Sequence, residues 1–173
     1  PEAVRAIRSL KPKAFIFENV KGLTRKVFSN YLEYILLQLT YPEIQKNSNE
    51  DWISHRSRLE KFHTNGSNKS LEYKVMFRVL NAADYGVPQK RERVFFVGFR
   101  SDLGVNWAFP EATYSNESLL KSKWITKEYW RKYNINPNKV SKPNDLQLER
   151  ISSNLFVDEK KPWKTVRDAI FDL

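Results

Sequence analysis

The chain has 173 residues, 40% hydrophobic and 14% aromatic, enough for about one domain with a real core. A formal net charge of +10 and a pI near 9.7 favour a polyanionic partner, nucleic acid first and an anionic membrane surface second. Cysteine is absent, which excludes disulfides, cysteine-based zinc sites and a thiol nucleophile on this chain, and no apolar run reaches the ~18 residues of a membrane span.

No signal peptide opens the chain, so an intracellular, soluble protein is the default expectation. The only histidines, His55 and His63, lie in a polar stretch, which argues against a His-based metal site. The first residues already read as the interior of an amphipathic helix over 2–10, with Val4, Ile7 and Leu10 on one face. No cap leads into it, as expected of a chain that opens partway through a larger protein.

A Lys11-Pro12 break follows. The run Lys13-Ala14-Phe15-Ile16-Phe17 then reads as a short buried strand, expected to be parallel to its neighbours, and it ends in Glu18 and Asn19 before Gly22 permits a turn. In open α/β sheets ligands sit beyond the carboxyl ends of strands, which puts Glu18 and Asn19 where chemistry is done. The competing reading makes Glu18 a simple cap or pairing residue. A helix is expected over 27–40, with Phe28, Tyr31, Leu32, Ile35, Leu36 and Leu39 on its apolar face, stopped by Tyr41-Pro42.

Residues 43–71 are polar and charged. They read as an inserted surface excursion with a short helix over 50–62, or as a lid or DNA-facing arm. Strand character returns over 73–80 and again over 94–99, and the connector between them predicts an antiparallel pair. Alternation of helix and strand argues for an α/β fold. Residues 101–118 are loop-like. Over 119–142 lysines and arginines interleave with Trp124, Tyr129, Trp130 and Tyr133. Such a stretch can track a nucleic-acid backbone, but a solvated face over a few anchoring aromatics is the commoner arrangement. A short helix is expected near 145–155, and Thr165-Val166-Arg167-Asp168 has the spacing of a capping box.

Two features carry chemistry: Glu18-Asn19 after one strand, and Gln89, Arg91 and Arg93 entering another. At period two the last three point to one side of an extended segment, where an amide and two guanidiniums read anions and carbonyls. Taken by spacing alone, a surface charge run explains them as well. Lys11 to Gly22, however, resembles the Glu-Asn-Val motif of the DNA cytosine-C5 methyltransferases. The run from Val79 to Gly98, through Asn81-Ala82-Ala83-Asp84-Tyr85-Gly86-Val87-Pro88, resembles that family's Gln-x-Arg-x-Arg motif with its flanks. Trp163 to Ile170 resembles a lead into its target-recognition region.

The resemblance implies part of a Rossmann-like α/β methyltransferase domain that uses S-adenosylmethionine. It implies residues 1–100 as catalytic-domain segment with an insertion at 43–71, and 101–173 as the approach to the recognition region. It further implies a cytosine flipped out of double-stranded DNA, held by Glu18 at N3 and the exocyclic amine and by Arg93 at O2. Arg91 would support the pocket or a phosphate, Gln89 would shape the loop, and Asn19 would fix local geometry. A bacterial restriction–modification setting in the cytoplasm goes with it.

Two departures stand out. The family's Pro-Cys loop and its glycine-rich cofactor motif are both missing here, so the upstream cofactor and cysteine segment and the downstream recognition region are expected from elsewhere in the enzyme. This chain alone is expected to be inactive and to expose apolar surface where other strands would pack. A tRNA-methylating relative and a non-catalytic nucleic-acid-binding module are the alternatives.

Overall fold

The structure is a computed structural model and describes residues 2–66, 70–153 and 160–171. The chain divides into two compact units, residues 1–80 with 93–109 and residues 81–92 with 110–173.

The first unit opens with α1 (Glu2–Leu10), whose apolar stripe buries Val4 and Ile7 while Leu10 stays exposed. β1 (Ala14–Val20) follows. Its neighbour is β3 (Glu92–Arg100), antiparallel, in a register from Ala14 opposite Phe99 to Val20 opposite Arg93. β2 (Tyr73–Asn81) lies on the other side of β3, giving the order β1-β3-β2. The expected parallel pairing of β1 is therefore not made among the described residues.

Residues directly opposite each other in a pair share a face. Phe15, Phe17, Val94, Phe96 and Gly98 thus line one face. There Phe15, Val94 and Phe96 join Tyr73, Val4, Ile7, Leu32 and Leu39 in the main core. Burial of side chains such as Ile7 and Leu39 contributes about 1.5–3 kcal/mol each. Gly98 is required by this packing: a Cβ there would sit 2.2 Å from Phe15 Cζ. The opposite face of β1 carries Ile16, Glu18 and Val20, all exposed. β1 is an edge strand with one open face, not the fully buried strand that its apolar run predicts, because no described element covers that side.

Two 3-10 turns, Lys21–Thr24 and Lys26–Phe28, lead into α2 (Ser29–Thr40). Leu32 and Leu39 reach the main core, while Phe28 and Tyr31, expected on the buried face, are exposed. A second stripe of α2 faces α3 (Trp52–Asn65) and builds another core from Tyr34, Tyr41 and Leu59. Asp51 caps α3 by accepting from Ser54 N at 2.7 Å. The polar stretch is thus more than a solvated excursion. Its histidines act in packing: His55 is 1% exposed and bonds Tyr34 and Ile44, and His63 bonds Tyr41.

In the second unit, β4 (Tyr114–Ser115) pairs in parallel with β5 (Lys161–Pro162). α4 (Asn116–Leu120) runs into a π-helical turn over Lys121–Ile125, followed by α5 (Glu128–Lys132), α6 (Asp145–Ser153) and α7 (Val166–Ile170). The expected helix near 145–155 ends within α6, and residues 154–155 lie outside the described residues.

The basic-aromatic stretch is anchored. The rings of Trp124, Tyr129, Trp130 and Tyr133 meet edge to face, and the Lys123 ammonium lies over Tyr129 and Trp130 at 4.7 and 5.7 Å. Burial pushes the Lys123 pKa down. The capping box forms: Thr165 Oγ1 accepts from Asp168 N, and Asp168 accepts from Thr165 N at 2.8 Å. Burial would raise the Asp168 pKa, but bonds from Lys132, Tyr133 and Thr165 outweigh it and hold the carboxyl well below its usual range. Among the described residues no helix is long and apolar enough to cross a membrane.

Candidate functional site

The register of β1 on β3 decides which polar side chains can meet. Glu18 is opposite Phe95, and Val20 is opposite Arg93. Glu18 and Arg93 are therefore diagonal neighbours on one face, within reach of long side chains. Arg93 Nε lies 3.1 Å from Glu18 Oε1, with the two side chains 27% and 46% exposed. A pair this open to water stabilises a fold by only about 0.2–1 kcal/mol. What it does achieve is to hold a carboxylate beside a guanidinium at the end of a strand, both accessible to solvent.

Asn19 sits one residue along, so its side chain leaves the other face of β1. Its Oδ1 accepts from Val20 N at 2.8 Å, a local bond at the strand end. Gln89 and Arg91 belong to the second unit, and both are exposed. The chain bends at Pro88 and Gln89, and the strand begins only at Glu92, so the period-two row of Gln89, Arg91 and Arg93 is not a strand face. Arg91 is held by its backbone: its N–H donates to Asn81 Oδ1 at 3.1 Å, and its carbonyl accepts from Ala82 N at 2.9 Å.

That loop contains residues whose roles residue order did not reveal. Asn81 Oδ1 also accepts from Ala83 N at 3.3 Å, capping the 3-10 turn over Ala82–Tyr85. Asp84 accepts from Trp163 Nε1 at 2.8 Å, and its carbonyl accepts from Thr113 N at 3.0 Å. Gly86 adopts φ 86°, and a Cβ there would meet Tyr114 Cε2 at 2.8 Å. An Asn ahead of a turn is a readable signal for the first of these. No local signal links Asp84 to Trp163, which lies far along the chain.

Basic residues also follow Glu18 directly in the chain. Immediately after β1, Lys21, Arg25 and Lys26 are all exposed on the paired 3-10 turns.

A family model described as C-5 cytosine-specific DNA methylase matches residues 1–41 and 51–170. The chain is 33% identical over 172 residues to the type II methyltransferase M.AquIA of Picosynechococcus sp., which covers 99% of this chain and 48% of that protein. It is 38% identical over 117 residues to the type II methyltransferase M.SacI of Streptomyces achromogenes, covering 68% of this chain and 22% of that one. With M.BspRI of Lysinibacillus sphaericus, also a type II methyltransferase, identity is 36% over 118 residues, covering 68% and 21%. The chain thus spans about half the length of M.AquIA and about a fifth of the other two.

Proposed function

Because the chain belongs to the C-5 cytosine-specific DNA methylase family, a Rossmann-like α/β family, we propose that Glu18 and Arg93 form the wall of a pocket for a cytosine flipped out of double-stranded DNA. The observation that carries this reading is their pairing across β1 and β3. Attack at C6 of cytosine is slow unless the charge that develops on the ring is stabilised. A carboxyl that carries a proton donates to N3 and accepts from the exocyclic amine, while a guanidinium donates to O2. Glu18 and Arg93 present a carboxyl group and a guanidinium on one face. In the absence of a base they hold each other, and because that exposed ion pair is weak, a cytosine can part it at little cost.

The other residues take supporting roles. Asn19 fixes the strand end through its bond to Val20 N, Arg91 contacts a DNA phosphate, and Gln89 shapes the loop. The thiolate that attacks C6 must come from another stretch of the protein, since this chain has no cysteine.

The family's methyl donor, S-adenosylmethionine, is not fitted by the described residues. A phosphate- or nucleoside-type cradle needs clustered glycines, yet Gly98 is covered by the Phe15 ring and Gly86 by Tyr114, and the open Gly22, Gly66 and Gly104 stand far apart in the chain. Gly66 and Gly104 are isolated turn residues with φ 63° and 58°.

The reading extends to residues 1–100 as a segment of the catalytic domain and 101–173 as the approach to the recognition region. It places the protein in a bacterial restriction–modification system in the cytoplasm. Exposed Ile16 and Val20 on the open face of β1 would pack against other parts of the enzyme. The 173-residue chain by itself is expected to transfer no methyl group. In the intact enzyme, Glu18→Gln is expected to lower turnover far more than DNA affinity. Equal losses in both would make Glu18 structural and end this reading.

A further inference from the structure

The turn that leaves the Glu18 strand carries three basic side chains. Lys21, Arg25 and Lys26 are exposed, and among the described residues neither Arg25 nor Lys26 has a carboxylate partner. The backbone beneath them is fixed. Arg25 N donates to Gly22 O at 3.2 Å, Phe28 N to Arg25 O at 2.8 Å, and Thr24 Oγ1 to Lys21 O at 2.9 Å. Lys21, Gly22, Thr24 and Arg25 line an open hollow, and nothing lies within 4 Å of where a Gly22 side chain would stand. A rigid, uncrowded turn with outward-facing cations is what a polyanionic backbone contacts without deforming the protein.

Distance links this turn to the proposed base pocket. Three residues of chain separate Lys21 from Glu18, which at about 3.3–3.6 Å per residue is at most about 11 Å. Phosphates on one DNA strand are spaced about 3.4 Å along the helix axis. Lys21 is therefore within a few nucleotides' reach of a base held at Glu18, with Arg25 and Lys26 further along the same turn.

We propose that Lys21, Arg25 and Lys26 form a phosphate clamp that grips the strand carrying the flipped cytosine, positioning it without reading sequence. This rests on the cytosine-pocket reading above. Contacts of this kind release counterions, so each one adds about 0.9 to the slope of log affinity against log salt.

The experiment uses the intact protein with Arg25→Ala, Lys26→Ala and the double variant. Affinity for duplexes with and without the methylation site is measured across a salt series. Each removal is expected to weaken binding to both duplexes alike, by up to about tenfold near 0.1 M salt, and to lower the slope by about 0.9. Arg25→Lys should keep the wild-type slope. An unchanged slope in the double variant overturns the clamp. So does an unchanged slope with a lowered thermal midpoint, which would mean that the cations face another part of the protein. If the unsubstituted protein methylates DNA while the slope stays constant, only the clamp fails. If it neither binds nor methylates DNA, the cytosine-pocket reading fails with it.

Discussion

At the end of β1, polar side chains face solvent. Glu18 and Arg93 hold each other through one exposed ion pair, and the turn beyond them carries Lys21, Arg25 and Lys26 outward. In the loop over 81–91 the polar groups turn inward. Asn81 accepts two backbone N–H groups, Asp84 takes the Trp163 indole, and Gly86 is pressed against Tyr114. Both stretches belong to the family resemblance, yet they are built for different purposes. The pair proposed to exchange partners with a substrate sits in a weak, wet contact. Groups that shape the backbone are locked into bonds that nothing replaces.

The largest expected effect lies on the open side. Arg93→Ala in the intact enzyme should reduce turnover by about 10²-fold or more, since on the proposed reading it removes a donor to the charge that develops on the ring. Its effect on unfolding free energy should stay below about 1 kcal/mol, since the lost ion pair is exposed. A large stability loss with turnover per folded molecule intact would erase the contrast between the two regions.

Gly86→Ala tests the closed side. The substitution puts a Cβ on a residue at φ 86° and against the Tyr114 ring. A destabilisation of about 1–3 kcal/mol is expected, read as a lower denaturant midpoint at unchanged slope. A neutral result would show that the loop is looser than its bonds imply.

Asn81→Ala should cost about 1 kcal/mol, the usual loss of a capping acceptor, and Asn81→Asp should recover most of it by keeping the oxygen. If aspartate fails to restore stability, the side-chain oxygen is not what closes the loop.

Much of the fold beneath this contrast was legible from residue order, for a physical reason. Helix and strand periods placed α1, α2, β2 and β3 within a few residues, and the Thr165–Asp168 spacing formed its capping box as read. Glu18 and Arg93 were singled out, but their meeting depends on a register that only the pairing of β1 with β3 supplies. The open face of β1 was not legible either, because an apolar run such as Ala14–Phe17 looks the same whether one face or both are covered. Gln89 and Arg91 show the opposite failure. Period two describes a strand, and the bend at Pro88 and Gln89 delays the strand to Glu92.

His55 offers the smallest effect and a control on the comparison, because it lies in the same unit as Glu18 yet is as closed as the loop. Its Nε2 faces the Ile44 carbonyl at 2.9 Å and so carries the proton; Nδ1 then accepts from Tyr34 OH at 2.8 Å, and Tyr34 accepts from Gln38 Nε2 at 3.1 Å. In this tautomer the ring is neutral. Burial pushes its pKa down, the Ile44 bond and Glu50 oppose that, and Arg58 and Lys46 add to it. Above about pH 6.5 folded and unfolded chains both hold His55 neutral, and its contribution to stability is complete. As pH falls below that value, the unfolded chain takes up a proton that the folded chain resists. Stability is therefore lost until the folded pKa is reached. Unfolding free energy measured between about pH 7.5 and 5.5 should fall more steeply in the wild type than in His55→Asn. Equal slopes would mean that α2 and α3 admit the charged ring, and that closure of polar groups, the property that separates the loop from the Glu18 corner, is weaker in this unit than its hydrogen bonds indicate.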